Sequence, residues 1–222
     1  MVRIAPYYFS QRKRVFDILV SIFLLLLLTP FIVIISLVIF VTVGSPILFL
    51  QQRRGYHKEP FQIFKFRTMY HNAEKDRNKL KKHNDAPEPM FKMNRDPRFV
   101  GIGHFLSTTG IDETPQLLNI LKGEMSFVGP RPLPMIEALK LTAEWDFRYQ
   151  VRPGIFSLWA FSDDKYTSLD TWKQLEERSL RDSSFSKDCY LMAKTLLTHF
   201  IYFLVLLKNS VLKNHSTASD RE

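Results

Sequence analysis

Cysteine is nearly absent from this sequence. One thiol, Cys189, in 222 residues excludes an internal disulfide framework and a cysteine-based zinc site. It fits a reducing, cytoplasmic setting, and Cys189 reads as a small helix residue rather than a nucleophile. Internal repeats and low-complexity tracts are missing as well. No short apolar core leads to a small-residue cleavage site, so the N-terminus does not read as a secretory signal. The basic balance, formally +9, comes without a recognisable nucleic-acid-binding motif. Nucleic acid is therefore not an expected partner, whereas an anionic membrane surface or a phosphorylated substrate suits the charge.

What the chain does have is one long apolar run, Val15–Val43, of about 29 residues, where roughly 20 suffice to cross a bilayer. That is too long for one straight crossing and too short for two. Pro30 stands inside it and removes a backbone donor, and the Thr29 hydroxyl is placed to serve a freed carbonyl. Arg12, Lys13 and Arg14 precede the run, and Arg53, Arg54 and Lys58 follow it. Positive flanks stay cytoplasmic, so both ends are expected on the cytoplasmic side. A re-entrant helix broken at Thr29-Pro30 satisfies length, proline and charge together. The alternative is a single tilted span with a tolerated kink.

Beyond the run, "SPILFLQQ" reads as a strand, "RRGYHKEP" as a turn and "FQIFKFRTM" as a period-two strand. Lys65 and Arg67 then share one strand face, either a cationic pair or a solvated surface. Residues 70–95 are highly charged, and their lysines suit either solvent or anionic headgroups. In "IDETPQLLNILKGEMSFVGPRPLP", residues 111–134, Asp112 is a good N-cap and Gly123 a helix stop. Asp112 and Glu113 are thereby set at a helix N-terminus, which favours anions. Arg131 lies between two prolines, so a guanidinium suited to bidentate phosphate contact is presented from a stiff loop. An ordinary cap and a surface arginine explain the same residues.

The order and spacing of "KRVFDILVS", "FQIFKFRTM", "DPR" at 96–98, "DETPQLLNILKGEMSFVGPRP" and "VRPGI" at 151–155 resemble the monotopic phosphoglycosyl transferases, the bacterial sugar transferases. The resemblance covers residues 11–205. It implies an α+β, mostly helical fold, with a re-entrant membrane helix in 1–45 and a cytoplasmic catalytic domain in 46–207. A disordered tail is expected over 208–222. The implied reaction moves a sugar phosphate from a UDP-sugar to polyprenyl (undecaprenyl) phosphate and begins exopolysaccharide, capsule or O-antigen assembly at the bacterial inner membrane, with the catalytic domain facing the cytoplasm. By the same resemblance Asp112 and Glu113 are the catalytic pair, Asp112 the covalent nucleophile and ligand of Mg²⁺. Lys65, Arg67, Arg98, Arg131 and Arg152 are then the expected phosphate contacts.

Two stretches depart from the family pattern. Gly101, His104 and Ser107 stand where basic residues are common, and "FSLWAFSDDKY" replaces the usual loop after "VRPGI". Trp159, Phe161 and Tyr166 then stack on a base or a sugar, or simply pack the loop. These departures motivate a second reading, a catalytically silent membrane scaffold of the same fold. The apolar segment 189–207 reads as an amphipathic interfacial helix or as a second span.

Overall fold

The computed structural model describes residues 2–162 and 166–219, apart from the side chains at 161, 202 and 206–219. A 3-10 turn at Pro6–Phe9 leads into α1 (Gln11–Thr42). The Ser10 hydroxyl caps α1 by accepting from the Lys13 N–H at 3.2 Å. In chain order there follow β1 (Leu48–Arg54), β2 (Pro60–Phe66), α2 (Arg77–Leu80) and α3 (Gly103–Thr109). A 3-10 turn at Ile111–Gln116 runs into α4 (Leu117–Lys122). Then come β3 (Ser126–Val128), β4 (Leu133–Pro134), α5 (Met135–Ala138), β5 (Gly154–Phe156), α6 (Leu169–Arg181) and α7 (Phe185–Ser219). Helix outweighs strand, as expected.

The sheets are small. β1 pairs antiparallel with β2, Leu48 opposite Phe66 and Arg54 opposite Pro60. β4 adds to the other edge of β1, and β3 pairs in parallel with β5. β2 is covered on both faces, not half-solvated. Ile63 packs with Leu117, Ile120 and Phe127, and Phe66 with Ile39 and Leu106. A third cluster gathers Trp145, Trp159 and Trp172. α6 feeds it with Trp172 and Leu180, on the same face as buried Glu176, the four-residue spacing of one helical stripe.

The expected break at Thr29-Pro30 is not present: α1 is helical straight through Pro30. Each flanking half is several turns long and holds its own ladder, so the proline costs one hydrogen bond and a bend rather than continuity. The carbonyl that Pro30 deprives of a donor is that of Leu26. The Thr29 hydroxyl instead bonds the Leu25 carbonyl, at 2.6 Å. Among the described residues α1 is the one helix long and apolar enough to cross a membrane, and Leu26, Phe31 and Val41 point outward.

Both ends of α1 are tied to the same folded body. Lys13 Nζ lies 2.5 Å from Asp188 of α7, and Arg14 donates to the Ile120 and Leu121 carbonyls at 2.7 and 3.0 Å. At the other end Ile39 is fully buried against Phe66 and Leu106. α7 runs from Phe185 to Ser219, and 220–222 of the expected tail lie outside the described residues.

Candidate active site

The site is built where the 3-10 turn at Ile111–Gln116 meets the open edge of β2. Gly110, at φ +72°, reverses the chain after α3, a conformation that costs glycine little. The Thr114 hydroxyl closes the turn on the Ile111 carbonyl at 2.6 Å. Asp112 is therefore not an N-cap. Gly110 holds that position, and Asp112 lies inside the turn with its carboxylate free for other partners. Gly123, at φ +85°, ends α4 as expected.

Asn119 fixes the turn and α4 to β2. Its amide donates to the Gln62 carbonyl at 2.6 Å and its oxygen accepts from the Phe64 N–H at 3.0 Å. The fully buried side chain thus occupies the strand edge as a neighbouring strand would. Lys65, next along β2, is carried directly onto the carboxylate pair.

Lys65 Nζ lies 2.6 Å from Glu113 Oε1 and 3.8 Å from Asp112 Oδ2. Arg131 Nη2 reaches the same Glu113 oxygen at 3.1 Å. The two carboxylates are driven apart in acidity. Burial, reinforced by the Glu113 charge and only partly opposed by Lys65, pushes Asp112 up to about 6. Burial acts on Glu113 in the same sense, but Lys65 and Arg131 together more than offset it and hold Glu113 well below the usual carboxylate range. One carboxylate is pinned as an anion, and its neighbour is left basic.

The loop carrying Arg131 is stiff for a reason that the prolines only begin to explain. Three consecutive carbonyls are each captured by a different element. Pro130 accepts from the Gly154 N–H at 3.0 Å, Arg131 from Arg148 Nη2 at 2.7 Å and Pro132 from Arg53 Nη1 at 2.9 Å.

Residues 8–201 match the model of the family described as bacterial sugar transferase. The chain belongs to that family. Its similar relatives include the undecaprenyl-phosphate galactose phosphotransferase of Salmonella typhimurium, 32% identical over 82% of this chain and 39% of the relative. The exopolysaccharide production protein ExoY of Sinorhizobium fredii is 34% identical over 83% of both chains. The uncharacterized sugar transferase EpsL of Bacillus subtilis is 38% identical over 72% of this chain and 76% of the relative. The chain thus spans about two fifths of the Salmonella protein and most of the length of ExoY and EpsL.

Of the sugar transferase residues picked out from the sequence, four come together: Lys65, Asp112, Glu113 and Arg131. Three others are engaged elsewhere. Arg67 falls just beyond β2 and donates to the Val43, Gly44 and Ser45 carbonyls at 2.6, 2.6 and 2.8 Å, closing the end of α1. Arg98 is held two-pronged by Asp96 at 2.9 and 2.7 Å and stacks on Phe91. Arg152 donates to the Gly123 carbonyl at 2.8 Å and lies over Tyr56. Thr29 and Pro30 stay within α1.

The altered loop is partly packing. Trp159 is buried against Trp172 and meets Tyr166 edge-on at 5.6 Å, while the Phe161 side chain lies outside the described residues. Tyr166 is near enough to feel the Arg131 charge. His104 meets Phe99 edge-on, and Ser107 sits in α3.

Sequence reasoning missed Lys92. It is exposed by surface area, yet enough protein crowds its ammonium, with the Arg131 and Lys65 charges adding to the effect, to lower its pKa. Two cations, Lys65 and Arg131, are therefore in contact with the carboxylate pair, and the Lys92 charge is near enough to be felt. Among the described residues no group of three or more His, Cys, Asp or Glu converges. The pair alone offers carboxylate oxygens, and both cations on Glu113 use Oε1. That donor set suits a magnesium ion, which commonly takes one or two carboxylates and fills its shell with substrate phosphates and water.

Proposed function

We propose that this chain is a phosphoglycosyl transferase that moves a sugar phosphate from a UDP-sugar to polyprenyl phosphate, with Asp112 as covalent nucleophile. The observation that carries the reading is the split carboxylate pair. A buried carboxylate raised to about 6 is mostly ionised at neutral pH and more basic than a solvated one. It is thereby a better nucleophile.

In the first step an Asp112 oxygen attacks the sugar-bearing phosphorus of the donor. The bond from that phosphorus to the bridging oxygen breaks, and UMP leaves with the electron pair. The product is an acyl phosphate that joins Asp112 to the sugar phosphate. In the second step a phosphate oxygen of the polyprenyl phosphate attacks the same phosphorus, and the Asp112 carboxylate leaves. The products are polyprenyl-diphosphate sugar and free enzyme. Lys65 and Arg131, held by Glu113, supply fixed positive charge for the diphosphate, and little reorganisation is needed as charge develops on the leaving oxygen. Glu113 holds Lys65 and Arg131 in place and keeps Asp112 basic. Asp112 and Glu113 would hold Mg²⁺ together with the donor diphosphate, and the ion would neutralise charge on the leaving phosphate.

The topology proposed with this reaction is re-entrant, bent at Pro30, with the catalytic body on the cytoplasmic face. In support, the basic start of α1 and the carbonyls that follow it are both hydrogen-bonded to that body. α7, whose Leu196, Leu197, Phe200 and Ile201 are exposed, would lie along the interface. The product would begin a surface glycan such as an exopolysaccharide, capsule or O-antigen. The test is UMP release by the purified chain from a panel of UDP-sugars with polyprenyl phosphate and Mg²⁺. Release with one donor supports the transferase, and none with any donor favours the silent scaffold.

A further inference from the structure

Arg148 and Glu176 form an ion pair with no direct contact to the carboxylate pair. Arg148 Nη2 lies 3.1 Å from Glu176 Oε1, and each side chain is 2% exposed. Arg148 comes from the 3-10 turn at Ala143–Gln150 and Glu176 from α6. Trp172 covers the guanidinium, 4.9 Å from its ring centroid. Arg148 also holds the main chain of Arg131, and Glu176 holds Arg148. Arg148 Nη2 donates to the Arg131 carbonyl at 2.7 Å, and the same Nη2 is paired with Glu176.

As a stabilising device this pair is poor. Taking two charges out of water costs several kcal/mol per ion, and the geometry repays it only when every polar atom is satisfied. Here Arg148 Nη1 and Glu176 Oε2 are both buried without a hydrogen-bond partner. An apolar pair of similar volume would pack at least as well. What it could not do is hold the Arg131 carbonyl. Gly154 and Arg53 hold the carbonyls on either side, and Arg148, itself held by Glu176, fixes the one at Arg131.

We propose that Arg148 and Glu176 are positioning residues whose task is to hold the Arg131 backbone so that its guanidinium reaches Glu113. The pair acts through Arg131 and touches no substrate, and its effect on turnover rests on the transferase reading above. The Arg131 guanidinium is the reporter, because its Nη2 lies 3.1 Å from Glu113 Oε1 and a displaced loop would break that contact.

The test uses the full chain in nanodiscs and the double substitution Arg148→Met with Glu176→Leu. Trading a buried ion pair for apolar volume is often neutral or stabilising, so folding and positioning separate. The Arg131 guanidinium is followed by ¹⁵N NMR at fixed pH, with Glu113→Gln as the benchmark for a guanidinium without its partner. The double variant is expected to unfold no earlier than wild type and to move the Arg131 resonance as Glu113→Gln does. In the turnover assay kcat should fall about tenfold or more, as expected for a misplaced catalytic group. An Arg131 resonance at the wild-type position, where Glu113→Gln moves it, overturns the proposal. Should the double variant not fold, Glu176→Gln, of nearly the same shape, takes its place, and the same two outcomes decide. The resonance needs no turnover, so an inactive wild type would count against the transferase reading and leave the positioning result standing.

Discussion

Lys65 and Glu113 are joined at 2.6 Å, although they are 48 residues apart in the chain. Their meeting depends on Asn119, which binds the turn to the open edge of β2. Lys65 also lowers the pKa of Asp112. Lys65→Met should therefore raise both carboxylates, by about a unit or more given the usual effect of an adjacent opposite charge. The acid limb of the turnover profile should move upward with them, and Lys65→Arg should restore part of the shift. A pH–rate profile of Lys65→Met with its acid limb unmoved would remove Lys65 from the site.

Asp112 is a cost to the fold at neutral pH. Its folded pKa of about 6 lies above its ordinary value, so the fold prefers the protonated form. The cost is absent below the unfolded pKa of about 4, grows as pH rises toward the folded value, and levels off above it at roughly 3 kcal/mol. Asp112→Asn removes that charge and no cap is lost, since Gly110 caps the turn. The variant should match wild type in stability near pH 4 and exceed it at pH 8. Chemical unfolding in mild detergent at the two pH values checks this, and a variant less stable at both would contradict it.

Arg67 should behave as a structural residue. Its guanidinium gathers three carbonyls at the end of α1 and its side chain is buried. Arg67→Met strands those acceptors, at a cost of roughly 2–4 kcal/mol given the usual penalty for an orphaned buried group. The midpoint of unfolding should fall, while the fraction still folded should turn over at close to the wild-type rate. Full stability with lost activity would return Arg67 to the phosphate site.

The carboxylate pair and Arg131 were legible because each sits in a compact motif whose local chemistry is distinctive. Arg67 lies just past the last residue of β2, and its partners, the carbonyls at the end of α1, are more than twenty residues away in sequence. Arg98 has its partner, Asp96, only two residues away, a pairing that the sequence alone did not single out. The Thr29-Pro30 break followed from a proline rule that fixes the lost hydrogen bond but not whether the helix continues. Asn119, Arg53, Arg148 and Glu176 act on residues far away in sequence, and only the fold reveals their partners. A weak signal for Asn119 did exist, an amide inside the apolar "LLNIL".

Topology can be read directly. With Cys189 replaced, single cysteines at the exposed positions Gln11 and Glu59 should both be shielded from a membrane-impermeant thiol reagent in intact cells. Both should react after the inner membrane is opened. Labelling of Gln11→Cys in cells whose inner membrane is intact would place the two ends of α1 on opposite faces and remove the re-entrant arrangement.

The central claim is that Asp112 itself carries the sugar phosphate. Intact-protein mass spectrometry after incubation with a productive UDP-sugar and Mg²⁺, and no lipid acceptor, tests it most directly. The account predicts about one sugar-phosphate adduct and one UMP per active site, both abolished in Asp112→Asn. Adding polyprenyl phosphate should clear the adduct. No adduct and no UMP until lipid is present, with a donor that is turned over when it is, would mean that the acceptor attacks the donor directly and would contradict the account.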